Sequence, residues 1–448
     1  MNTVNYEELA ADLLKKSKAK GATAGDIVIV EGDSFDLQVR LQSIDKLSHA
    51  HEKRLGLRLF SGQRTAIGST SDFSGESLDR LVEDTCFLSR CTAEDPHAGL
   101  PEPAPLVNPD LDLYDPSLGQ WSMEEKIDRA RRAEEAALSS DPRITNSEGA
   151  GLSHADRRIV YANSHGIIGS YPVASVSLSV SPIASEGGAM QRDYWYSAKR
   201  KLKDLAAPEE VGRRAAERTL RRLGGRKIAT CEVPVVFDPE TAVDLLGSIS
   251  ACVSGYSIYK GASFLIGRLG QTVASASVTI LDNALIPAAL GSRPFDGEGR
   301  PTRKTSVIKH GVLESYLLDS YSARKLGMKS TGNAARSVGD APTVSPSNFY
   351  MVPGPHTPEA IMRSIKRGLY VTELIGFGVN HITGDYSRGA AGIWIENGEP
   401  AYPVEEITIA GNLKKMLMDI EMVGDDLEFR GSIASPTLKI SNMTIAGQ

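Results

Sequence analysis

Apolar residues fall at every second position in Phe35-Asp-Leu-Gln-Val-Arg-Leu41, the period of a strand with one buried face. The same kind of pattern predicts strands over Asp26–Glu31, Ser34–Leu41, Leu55–Phe60 and Arg64–Ser71, with Ser61-Gly62-Gln63 as a turn. Met1–Lys20 reads as an amphipathic helix with acids first and lysines last, matching the helix dipole. Ser74–Arg90 follows as a helix with Leu78, Leu81, Val82, Thr85 and Leu88 on one stripe, and Ser122–Leu138 as another. Between them, Ala93–Leu118 is Pro-rich and aperiodic, an irregular loop. A strand-rich run from Ile144 to Trp195 includes Val176, Leu178 and Val180 alternating with serines. Glu209–Leu223 is an Arg-rich helix stopped by Gly224-Gly225.

A domain boundary is placed there, giving an N-terminal α+β domain over 1–225 and a second domain over 226–448. The second opens with a strand, Glu232–Phe237, and a helix of small and apolar residues, Pro239–Ser254. Short strands and tight turns then dominate. Lys309-His310-Gly311 and Glu396-Asn397-Gly398 each separate alternating runs, the Asn-Gly pair being the stronger hairpin signal. Strands and helices without regular βαβ alternation predict an α+β fold, a sheet-plus-helices domain followed by a strand-rich, barrel-like one.

Composition narrows the function classes. Fifty Lys+Arg against 56 Asp+Glu give a net charge of −6, which argues against a surface devoted to nucleic acid or anionic membrane. No stretch reaches the roughly 18 apolar residues of a membrane span, and the N-terminus lacks a signal-peptide core. Cys86, Cys91, Cys231 and Cys252 are too few and scattered for a disulfide framework, which suits inert thiols in the cytoplasm. The arginines of Glu209–Leu223, interleaved with Glu209, Glu210 and Glu217, read as a solvated, salt-bridged helix rather than a nucleic-acid face.

The eight histidines form no His-x-x-x-His pair, and His51-Glu52 begins a zincin motif without completing it. Gly-x-Ser-x-Gly and Gly-Lys-Ser/Thr loops are also absent. The most unusual segment is Gly376–Gly392, with five glycines among Asn380, His381, Asp385, Tyr386 and Arg388. Glycines admit a second backbone at close range and the polar groups offer donors and acceptors. Gly376, Gly378, Asn380, His381, Asp385, Tyr386 and Arg388 are therefore candidate substrate-binding residues for an extended peptide, with a plain structural hairpin as the alternative.

That segment, with Trp394-Ile-Glu-Asn-Gly398, Pro403–Leu413, Ser330-Thr-Gly-Asn-Ala-Ala-Arg336 and Tyr350-Met-Val-Pro-Gly354, resembles the PmbA/TldE branch of the TldD/PmbA family. The resemblance extends over essentially the whole chain. It implies a cytosolic subunit of a heteromeric zinc metallopeptidase that degrades or trims small unfolded polypeptides, such as a peptide-antibiotic leader or an antitoxin. In that family the TldD-type paralogous partner carries His-Glu-x-x-x-His and a C-terminal Cys that hold zinc. Carried over here, the motif falls on Leu246, Gly247 and Ala251, and Asp426–Pro436 contains no cysteine. The resemblance thus implies no catalytic residue and no metal or other cofactor in this chain, zinc in the partner, and a chamber wall contributed by this subunit. A homodimer is expected when the chain is alone. Two alternatives stand beside it: a non-proteolytic modulator of DNA gyrase, and an autonomous peptidase using a site such as His381, Asp385 and Arg388.

Overall fold

The computed structural model describes residues 5–107 and 109–447; Met1–Val4, where the first predicted helix begins, lie outside the described residues, as do Asn108 and Gln448. The N-terminal half carries strands β1 (Ala24–Arg40), β2 (Ser43–Ser61), β3 (Arg64–Thr70), β4 (Ile144–Asn163), β5 (Ile168–Glu186), β6 (Ala189–Arg192) and β7 (Trp195–Lys199). Its helices are α1 (Tyr6–Ala19), α2 (Gly75–Cys91), α3 (Met123–Leu138) and α4 (Pro208–Leu220). Local chemistry sets their starts. The Asn5 side chain accepts from the Glu7 and Glu8 amides, Ser74 from the Ser77 amide, and Ser122 with Glu125 forms a reciprocal capping box.

The strands form one antiparallel sheet in the order β3-β2-β1-β4-β5-β6, with β7 also on β5. They are longer than the sequence pattern predicts. Asp26–Glu31 and Ser34–Leu41 are one continuous β1, and Ser43–Arg54, which carries no apolar alternation, is the first part of β2. The reason lies in what covers the sheet. Ile27 and Ile29 pack beneath α1 and α2, while Phe35, Leu37 and Val39, on the same face, pack beneath α3 and α4. Glu31 and Asp33 lie between the two helix pairs and stay partly exposed, so the apolar period lapses where the strand does not.

The C-terminal half opens with β8 (Cys231–Phe237) and α5 (Pro239–Val253). β8 pairs with strand Arg367–Ile375, which pairs with Asp385–Glu396, then Glu399–Asn412, then Leu438–Ala446, which returns to β8. Five strands thus close a barrel, as the α+β, barrel-like reading expects. The hairpin at Asn397-Gly398 has φ of 51° and 83°, the left-handed pair that a tight two-residue turn requires. A second sheet, built from Ile280–Asn283, Lys304–Lys309, Val312–Leu313, Phe349–Met351 and Ile433–Ala434, lies against α5. Val235, Phe237, Leu246, Ile249, Leu369, Trp394, Ile409 and Ile440 share one core.

Buried charges join the halves. Asp26 on β1 accepts from Arg58 Nε at 3.0 Å and from Arg336 Nη1 at 2.6 Å, with both Asp26 and Arg336 side chains at 0% exposure. Burial opposes ionisation of Asp26, but the two guanidiniums outweigh it and hold the carboxyl below its usual range. The Arg-rich helix departs from the solvated reading. Arg218 is buried against Asp193 and Asp238, Arg222 pairs with Glu373, and Arg226 lies 3.4 Å over the Tyr402 ring. Arg214, paired with Glu217, does face solvent. All four cysteines are free; Cys86 and Cys252 are buried. Among the described residues, no helix is long and apolar enough to cross a membrane.

Candidate functional site

The floor of the site is α5. Asp238 caps it by accepting from the Thr241 amide at 2.8 Å, and burial raises the Asp238 pKa against the pull of Arg218. The small residues of α5 allow close packing on both sides. Leu246 is fully buried in the core, whereas Gly247 faces open space, where an added Cβ would meet only Ile433 Cδ1, at 4.0 Å. Ala251, one turn further on, is partly buried. The segment containing Ile433 therefore crosses α5 beside the positions onto which the zinc motif is carried.

Those positions do not fit zinc. A leucine, a glycine and an alanine present no nitrogen, sulfur or carboxylate donor. Among the described residues, no three His, Cys, Asp or Glu side chains form a group able to hold a metal ion.

Strand Asp385–Glu396 directs Tyr386 and Arg388, two residues apart, to one face, and reaches α5 through Arg388. Arg388 Nη1 contacts Asp244 Oδ2 at 2.7 Å; the arginine side chain is 9% exposed and the aspartate 42%. Arg388 Nε and the Tyr386 hydroxyl are buried without a hydrogen-bond partner among the described residues. Burial pushes the Tyr386 pKa well above that of a free phenol, so the hydroxyl keeps its proton and remains a donor.

The other candidates shape the loop. Asn380 Oδ1 accepts from the amides of Ile382 and Thr383 at 2.9 and 3.3 Å, an Asx turn. Asp385 accepts from Thr383 Oγ1 at 2.6 Å and Asn412 Nδ2 at 3.0 Å, which hold its pKa down. The His381 carbonyl accepts from the Phe264 amide at 2.9 Å, and its ring is partly buried. Gly376 has a φ of 81°. At Gly378 a Cβ would lie 1.8 Å from the Ser387 carbonyl oxygen, so only glycine allows the crossing. The structure thus brings Tyr386 and Arg388 together beside α5. It assigns Asn380, Asp385, Gly376 and Gly378 to the turn, and no hydrogen bond among the described residues joins the two sets.

Asp244 is the residue that sequence reasoning missed. Nothing local marks it, since it is an ordinary acid on an apolar helix and its partner lies far along the chain. Past the end of α5, Tyr256 and Tyr259 line a mainly apolar cavity of about 380 Å³ with Phe60, Tyr321, Arg58 and Glu298.

Comparison with known proteins gives this geometry a family. Residues 25–89, 116–223 and 230–447 match domain 1, the central domain and the C-terminal domain of the PmbA/TldA metallopeptidases. The chain is 39% identical to Metalloprotease PmbA of Escherichia coli O157:H7, covering 99% of this chain and 96% of that protein. It is 36% identical to a Metalloprotease PmbA homolog of Haemophilus influenzae, covering 96% and 93%. The crystal structure of a putative modulator of DNA gyrase from Bacteroides thetaiotaomicron superposes with a TM-score of 0.92 at 27% identity, over 100% of both chains. TldE from Thermococcus kodakarensis shares the fold, with a TM-score of 0.89 at 22% identity over 98% and 99%. The chain belongs to the PmbA/TldD metallopeptidase family.

Proposed function

We propose that this chain is the PmbA/TldE-type subunit of a heteromeric zinc peptidase, acting on small unfolded polypeptides in the cytoplasm while a TldD-type subunit holds the metal. The observation that carries the reading is that the three α5 positions onto which the zinc motif is carried hold no metal donor. Leu246, Gly247 and Ala251 offer nothing to a metal, and the ion pair of Asp244 with Arg388 lies on the same helix. Without a carboxylate and imidazoles around a metal, there is no group here to activate water. What remains is a wall. Arg388 Nε and the Tyr386 hydroxyl are unengaged donors in a dry environment, suited to the carbonyls or carboxylates of an extended peptide. A role acting on nucleic acid is less supported, because Arg218, Arg222 and Arg226 already have partners within the chain.

The test is reconstitution. Alone, the purified chain is expected to hold no stoichiometric zinc by elemental analysis and to cleave no unfolded peptide. Together with a TldD-type paralogue it should co-elute, burying more than about 1,000 Å², and cleavage should appear. In that pair, Arg388→Ala should lower cleavage at a temperature where the variant is still folded and assembled, since losing a largely buried ion-pair partner also lowers its melting temperature. One tightly held zinc per isolated chain would overturn the proposal. If the pair cleaves but the Arg388 variant is indistinguishable from wild type, the wall assignment fails while the pairing stands.

A further inference from the structure

The outer face of the barrel carries an apolar hollow. Leu369, Trp394 and Val404 belong to the main core, so by strand alternation their neighbours Tyr370, Ile393 and Pro403 face outward. These three lie side by side across paired strands: Tyr370 is opposite Ile393, and Ile393 is opposite Pro403. A strand face that met only water would be polar at such positions. Met362, on the short helix Pro358–Arg363, and Ala401 add to the apolar lining. The hollow has a volume of about 480 Å³, within the range of small-ligand pockets.

Among the described residues, that lining holds one charged group, Arg221, and no acid. Arg221 caps the C-terminus of α4, and its Nε and Nη2 are buried without a hydrogen-bond partner. Its nearest carboxylate oxygen, Asp238 Oδ2, is 3.9 Å from Nη2 and is shared with Arg218 at 3.5 Å. Burial and the Arg218 charge both work against the Arg221 cation, a cost that an anion beside it would offset. We infer that the hollow binds a small monocarboxylate with an unbranched apolar chain, its carboxylate on Arg221 and its chain along Tyr370, Ile393 and Met362. A guanidinium suits a carboxylate because it can give two parallel hydrogen bonds. One cation matches one negative charge, whereas a phosphate or a dicarboxylate would leave a second charge unpaired against apolar walls. Three adjacent strands span about 10 Å, the reach of a chain of about eight carbons. The lining shares no residue with the α5 site, so the inference stands apart from the proposed peptidase role.

The experiment is isothermal titration calorimetry of the full chain at neutral pH. Octanoate should bind at one saturable site, and affinity should rise about fourfold per methylene from butyrate to octanoate. Octan-1-ol, which has the chain without the charge, should bind about tenfold more weakly or worse. Arg221→Gln should weaken octanoate about tenfold and leave octan-1-ol binding unchanged, which also shows that the hollow is still formed. Arg221→Lys, which keeps the charge but not the fork, should fall between. Ala401→Trp, at an exposed position, should fill the hollow and block both ligands, with near-UV circular dichroism checking the fold. No saturable octanoate binding below about 1 mM would overturn the inference. So would equal affinity for octan-1-ol, or octanoate binding that survives either Arg221→Gln or Ala401→Trp.

Discussion

Removing the Arg336 guanidinium tests how the two halves are held together. Asp26 receives Arg58 Nε at 3.0 Å and Arg336 Nη1 at 2.6 Å, and the Glu298 carboxylate lies 3.7 Å from Arg58. In Arg336→Met, two carboxylates face the one remaining arginine, with no water to reach Asp26. Breaking a buried pair by deleting one partner costs about 3–5 kcal/mol. For a domain of ordinary size that corresponds to a fall in melting temperature of about 10 °C. Differential scanning calorimetry at neutral pH measures it. Pairing the change with Asp26→Asn should recover a good part of the loss, because the uncompensated charge is then gone. A fall of under about 2 °C for Arg336→Met, or strict additivity in the double variant, would refute the reasoning, since contacting groups couple by about 0.5–3 kcal/mol.

Three further expectations follow from the buried titratable groups. Burial and the neighbouring Glu298 raise the Asp296 pKa to about 7, so the folded state holds a proton that the unfolded state has lost; stability should decline as pH rises from about 4 to about 7, and Asp296→Asn should flatten that slope in urea titrations. His154, stacked on Phe35 at 5.2 Å with neither ring nitrogen hydrogen-bonded among the described residues, is lowered to about 4 chiefly by burial. Its stability contribution is present above pH 6.5 and lost as pH falls toward 4, so His154→Phe should resist acid unfolding better than the parent, as followed by near-UV circular dichroism. Tyr386→Phe removes an unsatisfied hydroxyl and should leave stability unchanged or raise it by about 1 kcal/mol, while lowering cleavage by the reconstituted pair; a large loss of stability would mean that the hydroxyl has a partner.

Much of this was legible in the sequence where one short-range cause acts alone. Ser74, Ser122 and Asn397-Gly398 fix helix starts and a hairpin through bonds within a few residues, and they fall where the pattern predicts. The strand-rich, barrel-like character of the second domain follows from alternation plus turn chemistry, though the closure of five strands through β8 and Leu438–Ala446 does not. What was not legible depends on distant partners. The edge Ser43–Arg54 is a strand because β1 pairs with it, not because its own side chains alternate. Arg218 and Arg222 look solvated among neighbouring glutamates, yet Asp193, Asp238 and Glu373 bury them. In the candidate site, the glycines signalled close approach of a second backbone; at Gly378 the backbone that approaches is the chain's own, at Ser387, and the division between loop-holding and inward-facing residues rests on α5. Asp244, the counterion of Arg388, had no local signature at all.

The closing of the barrel also has a kinetic side. β8 is flanked by Arg367–Ile375 on one side and Leu438–Ala446 on the other, and the Gly447 amide reaches Thr230 Oγ1 across 217 residues of sequence. During synthesis β1 meets β2 almost at once through the turn at Leu41-Gln42, whereas β8 must wait for nearly the whole of the following chain before both of its edges are covered. Contacts this distant in sequence slow folding, and an uncovered strand is prone to wrong pairing in the interval. Truncation within the last strand should therefore yield chains that are made but trapped in aggregates, with the N-terminal sheet already formed inside them.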